Sequence, residues 1–573
     1  MIASNMPKPD TPKRSDPVSR GKYSAVADRW LPWGVLLLLL ILCAVEGLRA
    51  TAGLKAPPDV DSWRDVGFIQ GFLDGNWFGD PFYAGEWRWY PPLIHGLGAA
   101  GVWLSGASPM SFWVQIGPWI NLFAPLTFFL MNTRLLGRPA AAAATAVFVL
   151  FNSTLSAPYN AAGYTPQPLT PNLTLPLFFL GIMLIHARGS SIRILDAAVI
   201  GNVLGIVFLA HTVPALLLSA VVTTTAFSQS GIRLRTLLWL AIVGLVELAW
   251  GMLLLGPLFF HYGLHIANPA PGAWMAALMQ PRYGSWLRLV AFNLPGVLAA
   301  SGAWLLRRWA PLARRTVVIL GTWIAVCLIF LVRHEACATL DAKGALCETF
   351  VIPPHHFHFY LAAALASVMG HTVWQWARWW AETTPGRPSS PRVAALSAVA
   401  VATLALGTFC FLFRSHTVVY LWVERAVQPT FEIRMRELVQ NERPLDIGAY
   451  NWIATHTRPS DFFVTDGWAA FAVMGAGRRL VSTPEVFSNA YLIWAGRDAR
   501  RLRFIASIRS QNAASSRALC DLLAETGRGN TAFFLLPNED LVATDPLELV
   551  WRGNYHSVYR VNPITCKPDE KSN

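Results

Sequence analysis

The chain has 573 residues, of which 54% are hydrophobic and only 14% are charged. Apolar runs of about 17 to 25 residues, the length that crosses a bilayer, recur along it and exclude a soluble globular protein. The formal net charge of +13 does not indicate a nucleic-acid-binding protein, because the basic residues collect in short segments between the apolar runs, as orientation signals do. We therefore predict a polytopic α-helical membrane protein.

The first apolar run, Trp30 to Ala50, follows a tail rich in proline, lysine and arginine. By the positive-inside rule this tail, residues 1–29, is cytoplasmic and the next loop lies outside. A signal peptide is a weaker interpretation, because no small-residue cleavage site ends the run. If the later basic segments are also cytoplasmic, about eleven spanning helices follow in a transmembrane domain of residues 30–413. The predicted spans are 31–50, 111–133, 139–156, 171–187, 195–210, 213–228, 236–257, 289–306, 316–332, 356–373 and 393–413.

One further apolar stretch, Pro91 to Ala107, follows the first outer loop. If it crossed the membrane, Arg134 and Arg138 would lie outside, and every later loop would carry the wrong charge. We therefore predict a helix that lies in or dips into the outer interface. Aromatic residues just before it are typical of that position: Trp77, Trp87, Trp89 and Tyr90.

The first outer loop, residues 51–110, is rich in acids. Asp65, Asp74 and Glu86 are interpreted as solubilising side chains. Asp59 and Asp61 differ, because they begin a stretch with apolar residues at helical spacing that predicts an amphipathic helix on the membrane. A carboxylate at the start of that helix can act as a general base toward a hydroxyl or as a ligand for a divalent ion. The Asp-x-Asp pair alone is a weak motif.

The loop as a whole is more specific. The stretch "DSWRDVGFIQGFLDGNWFGDPFYAGEWRWYPPLIHGLGAAGVWLSG", beginning at Asp61, resembles the first outer loop of the GT-C superfamily of membrane glycosyltransferases. The likeness is greatest to the branch that contains protein O-mannosyltransferases and the lipid A aminoarabinose transferase. Ser62 and Tyr90 stand where that branch has Glu and Lys. The matching positions are Asp61, Arg64, Gly75-Asn76-Trp77, Gly85-Glu86 and Tyr90-Pro91-Pro92-Leu93.

A second stretch, "LGIVFLAHTVPALLLSAVV" from Leu204 to Val222, resembles a break between two helices in the same family. His211 stands where the family has a lysine that meets the lipid phosphate. Without the resemblance, a lone histidine beside a membrane span is more often a structural residue. The resemblance implies that His211 contacts the phosphate. Some relatives also carry a second essential acid at the start of the fourth span, where this chain has only Asn172.

A third stretch, "VIPPHHFHFYLAAALASVMGH", places three histidines before an apolar helix: His355, His356 and His358. Imidazoles bind zinc or manganese, but no acidic partner is near these histidines in sequence. Hydrogen bonding to a phosphate or sugar is therefore favoured over a metal site. An ordinary interfacial role for the three histidines stays open. Arg282 and Tyr283 are candidates for binding phosphate, because arginine presents a rigid fork of donors. An interfacial anchor is an equal alternative for this pair.

The resemblance implies a glycosyltransferase that moves a sugar from a polyprenyl-phosphate donor to a glycan, glycolipid or protein of the cell envelope. Asp61 would accept the proton of the acceptor hydroxyl, and Arg64, His211, Arg282 and the three histidines would neutralise the phosphate. A divalent cation, Mg²⁺ or Mn²⁺, is helpful but not obligatory, with Asp59 and Asp80 as its ligands if one binds. The alternatives are a transporter or flippase of a lipid-linked glycan and an inactive scaffold.

After Phe413 the composition changes, and residues 414–573 predict an extracytoplasmic α/β domain. The expected order is a helix, two short strands, a further helix and strand, and a closing hairpin. Two pairs of cysteines are expected outside the membrane, where each could form a disulfide: Cys337 with Cys347, and Cys520 with Cys566. Cys43, Cys327 and Cys410 are expected to pack within spans. The predicted location is a plasma membrane of the bacterial inner-membrane type.

Overall fold

The computed structural model describes residues 22–150, 163–189, 193–268, 312–340, 355–383, 446–510, 513–526, 529–538 and 547–562. Up to residue 383 the described chain is mainly helical. Its helices are α1 (Lys22–Thr51), α2 (Val60–Leu73), α3 (Leu93–Ser105), α4 (Pro109–Ile120), α5 (Phe123–Leu136), α6 (Arg138–Leu150), α7 (Thr170–Arg188), α8 (Ile194–Ala210), α9 (Thr212–Ser230), α10 (Leu234–Tyr262), α11 (Arg314–Leu340) and α12 (His355–Thr383).

Six helical segments among the described residues are long and apolar enough to cross a membrane. They are Trp30–Thr51, Pro109–Leu136, Thr170–Arg188, Thr212–Ser230, Leu234–Tyr262 and Arg314–Arg333. Three further predicted spans coincide with α6, α8 and α12. The predicted spans 289–306 and 393–413 lie outside the described residues. The membrane class is thus confirmed, and the total of eleven spans stays a prediction.

The helical half is held together by one apolar core formed by α5 to α12. Aromatic side chains fill it, and the rings of Phe178 and Trp323 meet edge to face with centroids 4.7 Å apart. Small residues let two backbones approach closely, because a Cβ on Gly370 of α12 would overlap the backbone of Ala144 in α6. Such small-residue contacts are typical of helices that pack within a membrane.

The first loop contains α2 and α3. Asp59 caps α2 by accepting a hydrogen bond from the backbone nitrogen of Ser62 at 3.2 Å, which satisfies an otherwise unpaired donor of the first turn. The predicted helix of residues 91–107 is observed as α3 and packs its Gly98 against Ile69 of α2. At its other end Trp103 is 76% exposed. Its placement in the membrane interface stays a prediction.

The C-terminal part contains the α/β structure that the sequence predicts. Its helices are α13 (Ile447–His456), α14 (Ala470–Gly475), α15 (Trp494–Ser510) and α16 (Ala513–Thr526). Its strands are β1 (Phe462–Thr465), β2 (Arg479–Leu480), β3 (Ala532–Pro537), β4 (Leu547–Arg552) and β5 (His556–Val561).

The five strands form one sheet in the order β2-β1-β3-β5-β4. β1 pairs in parallel with β2 and β3, and the predicted closing hairpin is the antiparallel pair β4–β5. The extracytoplasmic position of this C-terminal domain and its predicted boundary at residue 414 stay predictions.

The first loop and the C-terminal domain share a second apolar core. It combines Trp63 and Val66 of α2 with Tyr450 of α13 and Met474 of α14, among others. The contact requires glycine at position 67, because a Cβ there would overlap the carbonyl oxygen of Met474. The loop is therefore built into the C-terminal domain rather than lying free on the membrane.

The cysteines agree in part with the predicted pattern. Cys43 and Cys327 are buried and free, as expected for packing within spans. Cys520 is disulfide-bonded, whereas its predicted partner Cys566 and the other candidates 347 and 410 lie outside the described residues. Cys337 lies in α11 rather than in a loop, which corrects the sequence-based placement.

Candidate active site

The site is built on the first two turns of α2. Asp61, Arg64 and Asp65 fall at spacings of three and four residues, which places them on one helix face. Arg64 donates from Nη1 to Oδ1 of Asp61 at 3.0 Å, and from Nε and Nη2 to Oδ1 of Asp65 at 3.0 and 2.8 Å. One guanidinium is thus shared between two carboxylates with very different surroundings.

Asp65 is the buried member, with a side chain only 1% exposed. Its Oδ2 accepts a hydrogen bond from Thr170 Oγ1 at 3.0 Å, and its Oδ1 lies 3.2 Å from Nε2 of His95. Burial raises the pKa of a carboxylate, but Arg64 and His95 outweigh this and lower the pKa of Asp65 to about 2. The interpretation of Asp65 as a solubilising side chain is wrong, because Asp65 is a buried, permanently ionised carboxylate that holds Arg64 in place.

His95 connects Asp65 to the Tyr-Pro-Pro-Leu stretch. Its Nδ1 lies 3.1 Å from the carbonyl oxygen of Pro91. A carbonyl can only accept, so Nδ1 carries a proton. The turn at Pro91 therefore fixes the imidazole so that its other nitrogen faces the buried carboxylate.

Two aromatic rings contact the guanidinium. The Cζ of Arg64 lies 4.5 Å from the ring centroid of Tyr90 and 5.5 Å from that of Phe487 in the C-terminal domain. Both distances allow a cation–π interaction. The charges of Asp65 and Asp61 outweigh burial and raise the pKa of Arg64, while burial raises the pKa of Tyr90 to about 12. Arg64 is therefore a permanently charged group in a fixed position.

Asp61 is the accessible carboxylate, with 53% of its side-chain surface open to solvent. Partial desolvation by the nearby protein, together with the charge of Asp65, outweighs the opposing charge of Arg64 and raises the pKa of Asp61. An accessible carboxylate of raised pKa is suited to accept a proton from a ligand.

The other two predicted acids have local structural roles. Asp59 accepts hydrogen bonds from Ser62 as the cap of α2, and burial with the charge of Asp61 raises its pKa to about 7. Asp80 accepts from the Phe82 nitrogen at 2.9 Å, and burial raises its pKa to about 6. Among the described residues no group of three or more metal-binding side chains converges. The assignment of Asp59 and Asp80 as metal ligands stays a prediction that this bonding does not favour.

His211 lies at the break between α8 and α9, as the resemblance implies. Its Nδ1 accepts a hydrogen bond from the Val213 nitrogen at 3.2 Å, so a neutral ring carries its proton on Nε2. Its ring lies edge to face against His356 with centroids 4.6 Å apart. Burial, and then the charge of Arg64, lower the pKa of His211 to about 4. The structure thus brings His211, His356 and Arg64 into one region.

Arg282 and Tyr283 lie outside the described residues, and so do the side chains of His355 and His358. Their assignments stay predictions.

The second half of the first loop is held by a segment of the C-terminal domain, residues 483–497, which we call the clasp. The Oη of Tyr83 hydrogen-bonds to the hydroxyls of Thr483 and Ser488 at 2.9 and 3.0 Å. Glu86 accepts from Arg497 at 2.6 Å and from Tyr262 at the end of α10 at 2.7 Å. The clasp therefore connects the C-terminal domain to the first loop, and through Glu86 of that loop to α10, a candidate span.

Glu86, through Arg497, and Asp74 are thus ion-paired rather than solubilising. Oδ2 of Asp74 lies 3.4 Å from Nη1 of the buried Arg478. Sequence analysis also missed His95 and Phe487. His95 could have been found from its position four residues after Pro91, which places its ring near that carbonyl. No local signal marks Phe487, because its contact with Arg64 depends on the packing of the C-terminal domain.

The fold is shared with solved structures of ArnT. ArnT from Cupriavidus metallidurans bound to undecaprenyl phosphate is similar over 91% of this chain and 97% of that chain, with TM-score 0.52 and 13% identity. Its apo structure is similar over 93% and 98%, with TM-score 0.50 and 15% identity. The oligosaccharyltransferase of Archaeoglobus fulgidus in complex with Zn and sulfate has TM-score 0.45 and 12% identity over 87% and 68%. No protein-family model matches, and neither does any curated protein. The predicted resemblance is confirmed as a likeness of fold.

Proposed function

We propose that this protein is a glycosyltransferase that moves a sugar from a polyprenyl-phosphate donor to a hydroxyl group of a cell-envelope glycan, glycolipid or protein. The observation that carries the proposal is the pairing of an accessible carboxylate, Asp61, with a fixed and permanently charged Arg64 at 3.0 Å. The fold supports it, because ArnT, which has the same fold, was crystallised with undecaprenyl phosphate. That lipid carries the same leaving group that the proposed donor would release.

In the proposed reaction, Asp61 accepts the proton of the acceptor hydroxyl. The hydroxyl oxygen then forms a bond to the anomeric carbon of the sugar, and the bond from that carbon to the phosphate oxygen breaks. The electron pair of the broken bond stays on the phosphate, which leaves with the lipid. A base in contact with an arginine can serve both ends of this displacement, because the proton is removed on one side and charge is neutralised on the other.

Arg64 and His211 would stabilise the leaving phosphate. Arg64 supplies charge, and Asp65, Tyr90 and Phe487 keep its guanidinium in place. His211, neutral near pH 7, would donate a hydrogen bond from Nε2. Removal of one such donor from a preorganised site lowers the rate by roughly 10²–10³-fold. Arg282, Tyr283 and the histidine cluster are further candidates for the same phosphate.

The arrangement would place the reaction on the outer face of a plasma membrane. Orientation rests on the cytoplasmic assignment of the basic tail. Because the first loop and the C-terminal domain share one core, the two lie on the same side of the membrane, so an outer loop implies an extracytoplasmic C-terminal domain. Mg²⁺ or Mn²⁺ could assist by binding phosphate, with Asp59 and Asp80 as the candidate ligands.

The test is sugar transfer by the purified protein with a panel of polyprenyl-phosphate sugars and a membrane glycolipid extract. We expect transfer by the wild type, loss in Asp61→Asn, and full activity in Asp521→Asn, which alters an exposed acid of α16. Transfer that survives in Asp61→Asn would remove this residue from the chemistry. Movement of a lipid-linked glycan across liposomes without any covalent transfer would replace the proposal with the transporter alternative. Repeating the assay with a chelator and with added Mg²⁺ or Mn²⁺ tests the metal.

A further inference from the structure

We propose that Phe487 is a positioning residue for Arg64, so that the C-terminal domain forms part of the active site. This inference rests on the proposed function, and it goes beyond it by giving the C-terminal domain a defined task. Phe487 contacts no reacting atom in this scheme and acts only through the guanidinium of Arg64.

The ring of Phe487 is itself fixed. It ends the short helical turn Glu485–Phe487 and is only 5% exposed. The ring of Phe471 in the C-terminal domain meets it edge to face with centroids 5.2 Å apart. Since the neighbouring Ser488 bonds to Tyr83 of the first loop, the position of Phe487 relative to that loop is set on two sides.

The clasp is hydrogen-bonded to other parts of the structure on both sides of Phe487. Asn489 donates from Nδ2 to the carbonyl oxygen of Trp87 at 3.1 Å and to Asp80 at 3.3 Å. Asn268, which follows α10, donates to the carbonyl oxygen of Glu485 at 3.1 Å. A shift of the C-terminal domain would therefore move the Phe487 ring away from Arg64 and loosen the loop at the same time.

The consequence for the site follows from how the Arg64 donors are used. Three of its hydrogen bonds go to carboxylates, and the ring faces of Tyr90 and Phe487 restrict how the guanidinium plane can turn. Without the Phe487 ring, the guanidinium can rotate toward Asp65 and lose its hydrogen bond to Asp61. Asp61 would then lose its nearest positive charge, so its proton would bind more tightly and the base would work only at higher pH.

The test compares Phe487→Leu, Phe487→Tyr and the control Phe534→Leu in the purified full chain. Phe534 is fully buried in β3 of the same domain and belongs to a different apolar cluster. We expect Phe487→Leu to lower kcat roughly tenfold with little change in KM, and to move the acidic limb of the pH–rate profile upward. Phe487→Tyr keeps an aromatic ring, so its kcat and its pH–rate profile should match those of the wild type. Phe534→Leu should leave the pH–rate profile unchanged. Equal profiles for the two leucine variants would overturn the proposal. Phe487→Met keeps most of the side-chain volume and replaces Phe487→Leu if that variant does not fold.

A second measurement does not depend on activity. The melting temperature of the ligand-free protein is compared among Arg64→Met, Phe487→Leu and the double variant. We expect the double variant to lose less than the sum of the two single losses, because the first substitution already removes the shared contact. Additive losses would overturn the positioning role, even in an active enzyme. If the losses of melting temperature are non-additive but the wild type transfers no sugar, the proposed function is rejected, and the contact between Phe487 and Arg64 is still supported.

Discussion

Replacing Asp65 by asparagine tests whether a buried charge supports the site. The pKa of Asp65 is about 2, against an ordinary value of 3.8, and a lowered pKa of this size corresponds to roughly 2–3 kcal/mol of folding free energy. The amide would also leave Arg64, only 10% exposed, without its main buried partner. Removing one member of a buried ion pair costs about 3–5 kcal/mol. We therefore expect Asp65→Asn to lower the free energy of unfolding by about 3 kcal/mol at neutral pH.

The assay is denaturant unfolding of the detergent-solubilised protein, followed by tryptophan fluorescence at several pH values. Because the folded pKa of Asp65 lies below its ordinary value, its contribution is complete above that ordinary value and is lost as the pH falls toward 2. The difference between wild type and Asp65→Asn should shrink over the same range. The control is Glu548→Gln, which breaks an exposed ion pair with Arg560 and should change stability little. Equal losses in the two variants, or a loss independent of pH, would refute the reasoning.

Three further predictions concern separate parts of the chain. Gly67→Ala should destabilise the protein and abolish activity, since the new Cβ would overlap the carbonyl oxygen of Met474, whereas Gly244→Ala meets no atom within 4 Å and should melt like wild type. Because the pKa of Asp61 is raised, transfer should increase with pH along a limb above the ordinary carboxyl range, and a limb near pH 4 would contradict its role as base. His211 has a pKa of about 4 and is neutral near pH 7, so a phosphate anion beside it should raise that pKa, and phosphate binding should take up a proton when it is measured near about pH 5. Calorimetry in two buffers of different ionisation enthalpy would detect that uptake, and its absence in the wild type would place the phosphate elsewhere.

The helices and the order of elements along the C-terminal domain could be predicted because their signals are local. Apolar runs and short alternating segments carry the information within about 20 residues, and α9 or the β4–β5 hairpin needs nothing else to be recognised. The helix break at His211 was also predicted at the correct residue. The helical spacing marked the start of α2 and so Asp61, whereas Arg64 could be selected only from the resemblance of the first outer loop to a known family.

The surroundings of those residues could not be predicted. Asp65 and Asp61 are the same residue type on the same helix face, and only the packing of α3 and α7 makes one buried and leaves the other open. The ion pairs of Glu86 and Asp74 could not be predicted either, because their arginine partners lie in distant parts of the chain. Burial of a charged side chain depends on what covers it, and a single sequence does not show the cover.

The core shared by the first loop and the C-terminal domain has a consequence for biosynthesis. Tyr83 and Thr483, which meet across it, are 400 residues apart, so the ribosome makes the loop long before its partner exists. During that interval Trp63 and the other apolar residues of α2 have nothing to pack against in the C-terminal domain, and exposed apolar surface of this kind favours aggregation and chaperone binding. A chain that stops before the C-terminal domain would contain both Asp61 and Arg64. It would still lack Phe487 and the rest of the C-terminal surface that holds Arg64 in position. Quality control could therefore recognise incomplete chains by the unfilled loop alone.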